Sequence, residues 1–320
     1  AAVNISRAAG VAGVGGDAQG DLLFGFEVYY LTGLNDTFSG GAAAETIFTR
    51  AGNDVISGGG GNDVVYVENF GIGSVNGGTG DDRIYGHEAG DSLSGADGND
   101  LIEGAGGNDQ LNGGNHHDTL RGGIGDDSLI GVAGNDLLEG DVGADTLRGG
   151  TDADTLRGGL EGDWLWGESG SDLLQGEDGH DTLQGGGNGD TLDGGTGNDL
   201  LVGGDSADVL TGGAGADVFQ FARPDIPSAL HTGTDRITDF SSAQGNRIDL
   251  AQIDANSIAA GDQAFTWIGA TLFTNVAGQL RQVADAGNTY IEGDANGDGT
   301  ADFAIRLDGL VTLAATDFVL

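Results

Sequence analysis

From Gly77 to Gln220 the chain repeats every nine residues in the form G-G-x-G-x-D-x-U-x, where U is a large apolar side chain. The acidic position recurs sixteen times without a slip, at Asp82, Asp91, Asp100, Asp109, Asp118, Asp127, Asp136, Asp145, Asp154, Asp163, Asp172, Asp181, Asp190, Asp199, Asp208 and Asp217. Two residues after each stands the apolar one, from Ile84, Leu93 and Ile102 through the leucines from Leu111 to Leu210 and on to Phe219. With 38% hydrophobic residues in the chain, sixteen apolar hits at one phase would arise by chance roughly once in several million tries.

A nine-residue unit is too short for a strand-helix pair, and its glycines would each weaken a helix by about 1 kcal/mol. The first six residues read as a turn and the last three as a short strand whose middle side chain points opposite to its neighbours. Two units close one flattened coil of eighteen residues, and stacked coils place the U residues inside as an apolar column. Repeats eighteen residues apart then lie about 4.8 Å above one another, so their carboxylates stack. Two bare charges at that distance repel by roughly 3 kcal/mol even at an effective dielectric of 20. Two buried U side chains per coil do not offset both that repulsion and the ordering of eighteen residues, so the metal-free chain is expected to stay unfolded. A hard divalent cation between turns reverses the sign. Oxygen is the only ligand type at the repeated positions, which favours calcium over magnesium and excludes zinc from the repeat.

This block resembles the RTX (repeats-in-toxin, hemolysin-type) family of secreted calcium-binding proteins. The resemblance implies an all-β fold, a right-handed parallel β-roll loaded with calcium. It also implies a ligand pattern: from one turn the carbonyls of the second and fourth residues plus the Asp carboxylate, and from the turn two repeats later the first and third carbonyls plus that Asp. One site would be Gly123, Gly125 and Asp127 with Gly140, Val142 and Asp145. The implied ligand set comprises Asp54, Asp63 and the sixteen aspartates above. Its carbonyls come from Gly104, Gly107, Gly122, Gly123, Gly125, Gly140, Val142, Gly149, Gly150, Gly158, Gly159, Gly194, Gly195, Gly197, Gly203, Gly204, Gly212 and Gly213. Pairing at offset two gives a dozen or more calcium ions, at most about fourteen.

Residues 1–35 read as a degenerate lead-in or cap. GDAQGDLLFGFE followed by LTGLNDTFSGG resembles the segment that precedes such arrays, which is expected to continue from repeats upstream. The roll itself is expected over 36–220, where Glu45 departs from the pattern. The nineteen residues from Asp63 to Asp82 imply a bulge or break. Over 221–320 glycine thins, Pro224 and Pro227 appear, and alternating segments read as strands capping the open end of the roll. TGTDRITDF, GNRIDL, GDANGDGTADFAIRL and ATDFVL resemble the C-terminal domain of serralysin-type secreted metalloproteases. Asp235 and Asp239 are further candidate ligands there. Asp294, Asn296 and Asp298 form either a D-x-N-x-D-G calcium loop without its closing acid or a polar hairpin turn. The final Asp317, Phe318, Val319 and Leu320 look like that family's type I secretion signal, or a plain strand end.

Fifty-one acidic against eleven basic residues give a net charge of −40, which argues against nucleic acid and anionic membranes as partners. Fourteen calcium ions would leave about −12. Cysteine and methionine are absent, so disulfides and thiolate metal sites are excluded. No apolar run is long enough to span a bilayer. HEAGD at His87 lacks the second His of a zinc protease, no G-x-S-x-G occurs, and without lysine there is no Walker A site. His116 and His117 are either exposed loop residues or half of a zinc site; Trp164 and Trp166 point outward, as a patch for a partner or as cover for a neighbour. The expectation is a non-catalytic calcium module of an extracellular bacterial protein, exported through a type I exporter and folding in external calcium. Alternatives are a surface-layer, adhesin or filament protein that self-associates or binds a cell surface, or the tail of a hydrolase or polysaccharide-modifying enzyme whose catalytic domain lies upstream of residue 1.

Overall fold

A computed structural model gives the fold and describes residues 4–6, 28–68, 71, 73–222, 233–256 and 262–320. The lead-in at 16–27 and the two prolines lie outside the described residues. Among those described, structure is strand apart from one 3₁₀ turn at Ala315–Asp317, and no helix is long and apolar enough to cross a membrane. Two compact units are present, Ala1–Leu160 and Glu161–Leu320.

In the first unit successive repeats send their strands alternately to two parallel sheets. Ser92–Asp97, Gln110–Asn115, Ser128–Ala133 and Thr146–Thr151 lie in one, and Leu101–Gly106, Thr119–Ile124, Leu137–Val142 and Thr155–Leu160 in the other. Each strand pairs with the one eighteen residues on, so that Leu93, Leu111, Leu129 and Leu147 form one rung series and Ile84, Ile102, Leu120, Leu138 and Leu156 the other. All are at most 1% exposed, which makes the U column the core. The fold is therefore an all-β parallel β-roll.

The division of the repeat differs from the sequence reading. From Ser92 to Gly187 every strand is six residues long and the turn is correspondingly short, as in Leu101–Gly106. The bare glycines let stacked turns approach until their amides and carbonyls extend the ladder, with Ala105 opposite Gly123 and Gly106 opposite Ile124. Two-residue alternation then turns both Ile102 and Gly104 inward. The extra residue after Asp63 does not break the roll either. Val65 pairs with Ile84 and Ile56 with Val75, an offset of nineteen, while Val75 and Leu93 return to eighteen. The insertion is absorbed between Tyr66 and Ser74, outside both sheets.

The second unit repeats the plan through Trp164–Ser169, Thr182–Gly187, Leu200–Asp205 and Val218–Ala222 on one side and Leu173–Asp178, Thr191–Asp193 and Val209–Thr211 on the other. Its ladders continue past Gln220: Phe219 pairs with Ile248 and Ile248 with Phe318, while Leu210 pairs with Ile237 and Ile237 with Leu307. The second ladder then turns antiparallel through Asn288–Asp294 and Gln279–Asp285. Ile237, Ile248, Ile291, Ile305 and Leu307 are wholly buried, and the Trp267 ring packs 4.7 Å from that of Phe318.

Candidate metal centre

The repeated aspartates line the two edges of the roll, each at the end of a turn, and all are 0–3% exposed. Their first oxygen is taken up by the ladder. The peptide N–H groups of Asp82, Asp100 and Asp118 donate to Oδ1 of Asp100, Asp118 and Asp136 at 2.7–2.8 Å. Asp91, Asp109 and Asp127 serve Asp109, Asp127 and Asp145 in the same way at 2.7 Å. In the second unit Asp163 donates to Asp181 and Asp181 to Asp199, and Asp172 to Asp190 and Asp190 to Asp208, at 2.7–2.9 Å. The second oxygen has no such partner: Oδ2 of Asp82, Asp100, Asp109, Asp118, Asp127 and Asp136, and of Asp181, Asp190 and Asp199, is buried without a hydrogen-bond donor.

What that oxygen faces is set by the first glycine of the repeat. A Cβ placed on Gly122 would fall within 3.0 Å of both Asp127 Oδ2 and the carbonyl oxygen of Gly140, one coil on. The same pairing meets at Gly104 (Asp109 and Gly122), Gly131 (Asp136 and Gly149) and Gly140 (Asp145 and Gly158). In the second unit it recurs at Gly185 (Asp190 and Gly203) and Gly194 (Asp199 and Gly212). At Asp109, Asp127, Asp136, Asp190 and Asp199 the carboxylate and carbonyl oxygens thus converge on one point with no proton donor. The second and fourth glycines bring the remaining carbonyls close: Gly123 and Gly125, at φ of 109° and 133°, sit against the carbonyls of Ala105 and Gly107, as Gly204 and Gly213 sit against those of Gly186 and Gly195. Such all-oxygen surroundings are unfavourable when empty and suit a hard cation that accepts carbonyl as well as carboxylate ligands. Among the described residues no three His, Asp or Glu side chains gather into a metal cluster, as a centre built largely of backbone carbonyls requires.

Electrostatics agree. Asp82, Asp109, Asp145 and Asp190 are pushed up to about 7, Asp118 to about 8, and Asp100, Asp127, Asp136, Asp181 and Asp199 to about 6. Loss of water is the largest cause at each. The donated N–H opposes it, and neighbouring carboxylates add less. The sequence reading put repulsion between stacked charges first; the structure puts dehydration first, because an N–H dipole from the ladder points at every carboxylate.

Several expected ligands have other occupations. Asp91 Oδ2 accepts from the His87 N–H at 3.2 Å, and Asp217 Oδ2 from the Asn246 amide at 2.6 Å. Asp54 and Asp63 instead follow the ladder pattern: Oδ1 accepts the N–H of Asp36 and of Glu45, and Oδ2 is buried without a donor, that of Asp63 facing the Gly77 carbonyl across Gly58; Asp235 Oδ1 accepts the Asp208 N–H. Both oxygens of Asp239 are bonded, to the N–H groups of Gly212 and Gly213. Asp294, Asn296 and Asp298 close their loop on its own donors, with Asp294 taking the N–H groups of Gly297 and Gly299, Asn296 Oδ1 that of Asp298, and Asp298 Oδ1 that of Thr300. The Nδ1 of His117 accepts the Asn135 N–H at 2.8 Å. It belongs to an outer ladder that the sequence reading missed, in which an Asn, Asp or His standing before a repeat Asp accepts an N–H from the next coil, as Asn99 does from His117 and Asn108 from Asp126. The visible signal was Asn, Asp or His recurring at that place.

The family model of the RTX calcium-binding nonapeptide repeat matches overlapping windows that together run from residue 39 to residue 219, more than half of the chain. The chain belongs to the RTX family. Repeats of this family bind calcium. Among solved structures, the AlgE6R3 subunit of the Azotobacter vinelandii mannuronan C5-epimerase is 27% identical over 53% of this chain and 78% of its own, with a TM-score of 0.32. The AlgE6R2 subunit of that enzyme is 26% identical over 54% and 90%, with a TM-score of 0.33. No curated protein sequence matches the RTX chain.

Proposed function

We propose that this RTX chain is a non-catalytic secretion-and-folding module: it leaves the cell through a type I exporter as an unfolded polyanion and takes up its fold on meeting calcium outside. The observation that carries this reading is the buried, donorless Oδ2 of Asp109, Asp127 and their equivalents beside a carbonyl of the next coil. Such an oxygen is tolerable in water, in the unfolded chain, and tolerable beside a cation, but not dry and alone. Calcium would be held by that oxygen together with carbonyls such as those of Gly123, Gly125, Gly140 and Val142, and would supply the attraction that joins one coil to the next. Binding and folding are then a single event. Extracellular modules of this kind respond at about 0.1 to 1 mM calcium, which keeps the chain open inside the cell. Fewer ions than one per repeat are expected, since Asp91 and Asp217 are already satisfied. The resemblance of residues 221–320 to serralysin-type C-terminal domains supports the export step.

Far-ultraviolet circular dichroism of the chain in chelator and after calcium addition tests the reading. A largely disordered spectrum in chelator that converts to β-structure in a cooperative calcium titration is the expected result. A fully folded spectrum in excess chelator overturns it.

A further inference from the structure

One outward column of the first unit changes chemistry part-way along. Read at successive coils it runs Tyr30, Phe48, Tyr66, Tyr85, Glu103, Arg121, Glu139 and Arg157. The four rings stack face to face at centroid spacings of 4.8, 4.9 and 5.0 Å, inclined by 8°, 9° and 12°. Ion pairs then replace them, with Arg121 3.6 Å from Glu103 and 2.7 Å from Glu139, and Arg157 3.0 Å from Glu139.

The turn that follows each column residue changes at the same place. After the rings come LTGLND, TRAGND, VENFGIG and GHEAGD; after Glu103, Arg121 and Glu139 come GAGGND, GGIGDD and GDVGAD. Only the second group has glycine at both the first and fourth places. The carboxylates differ accordingly. Asp36 accepts the Thr32 N–H and hydroxyl, Asp91 accepts the His87 N–H, and Gly73 stands where the third acid would be, its own N–H bonded to Asp91. Asp109 and Asp127, in the second group, keep a dry oxygen. Of the acids beside the rings only Asp54 keeps a dry oxygen, and the next coil offers it Gly73 and not a second acid, whereas beside the charged rungs Asp109 and Asp127 keep dry oxygens in succession.

We propose that the Tyr30–Phe48–Tyr66–Tyr85 stack is a metal-independent staple, holding one edge of the first four coils in register where the ion column is missing. Ring spacing equals strand spacing, so stacking rewards only the native register. The inference rests on the reading that the dry carboxylates elsewhere hold calcium. It implies that Asp91 stays metal-free and that this end of the roll outlasts the regular repeats when calcium is withdrawn.

Hydrogen exchange of the full chain by mass spectrometry, in calcium and in chelator, tests it. In chelator, amides of residues 28–91 are expected to exchange at least about tenfold more slowly than those of 95–160. Phe48→Leu and, as a second break in the stack, Tyr66→Leu should erase that difference in chelator while leaving protection in calcium unchanged. Equally fast exchange of both segments in chelator, reversed by calcium, overturns the staple and leaves calcium-driven folding standing. Equal protection of both in chelator overturns both. Undiminished protection of 28–91 in either variant in chelator overturns the staple alone.

Discussion

The peptide N–H of Asp109 donates to Oδ1 of Asp127 at 2.7 Å, so each carboxylate is anchored by the coil before it through one oxygen and holds the other out of water. The anchored oxygen orients the side chain, and the dry one gives the site its appetite for a cation. Substitutions can separate these two roles.

Asp127→Asn keeps an acceptor for the Asp109 amide and replaces the dry oxygen with an NH₂ group beside the Gly140 carbonyl. The metal-free chain should gain stability while the calcium-loaded one loses on the order of 1 to 3 kcal/mol. The expected signature is a calcium midpoint displaced upward. Asp127→Ala, which also orphans the Asp109 amide, should displace the calcium midpoint further upward.

Two glycines of a single repeat make a matched pair. A Cβ on Gly104 would intrude on Asp109 Oδ2 and the Gly122 carbonyl, whereas one on Gly106 finds nothing nearer than 3.6 Å. Gly104→Ala is expected to cost about 1 to 3 kcal/mol in calcium and to reduce the bound calcium. Gly106→Ala should stay within about 0.5 kcal/mol of the parent. Thermal unfolding and calcium counting by mass spectrometry read both.

The dehydrated acids also set a pH dependence. Asp109 and Asp190 at about 7, and Asp118 at about 8, lie above the ordinary value of 3.8 that they regain on unfolding. Between those values the folded metal-free chain binds more protons than the unfolded one. Its stability is therefore greatest below about pH 4 and falls as pH rises toward 7 to 8. Calcium competes with the same protons. The calcium midpoint should rise as pH is lowered from 8 to 5, because the protonated metal-free fold competes with the ion-loaded one. A midpoint independent of pH would count against buried carboxylates as the ligands.

The period and phase of Leu111, Leu129 and Leu147 made the core legible, because an apolar residue at every ninth place has only one inward direction in a coil of eighteen. The carboxylates were legible as a column for the same reason. Which oxygen of each is satisfied was not, since that depends on through-space donors: Asn246 reaches Asp217 from twenty-nine residues away, and His87 closes Asp91 through its backbone. Strand length was misread because glycine was taken to end a strand, whereas stacked coils use its missing Cβ to pair more closely. The aromatic column was present in the sequence at spacings of 18, 18 and 19, but its meaning needed the turns beside it.

The DANGDG loop gives the sharpest contrast with the repeats. Asp294 is wholly buried, and its oxygens accept the Gly297 and Gly299 N–H groups at 2.6 and 2.9 Å, with both glycines at positive φ. Asp302 closes the other side on the Ala295 N–H at 2.7 Å. Every donor in the turn has an acceptor, so no oxygen is left in the state that marks Asp127. Asp294→Ala should therefore destabilise the calcium-loaded chain by about 1 to 3 kcal/mol, through two orphaned amides, and leave the number of bound calcium ions unchanged in a calorimetric titration. A count lower by one would place the loop among the ion sites.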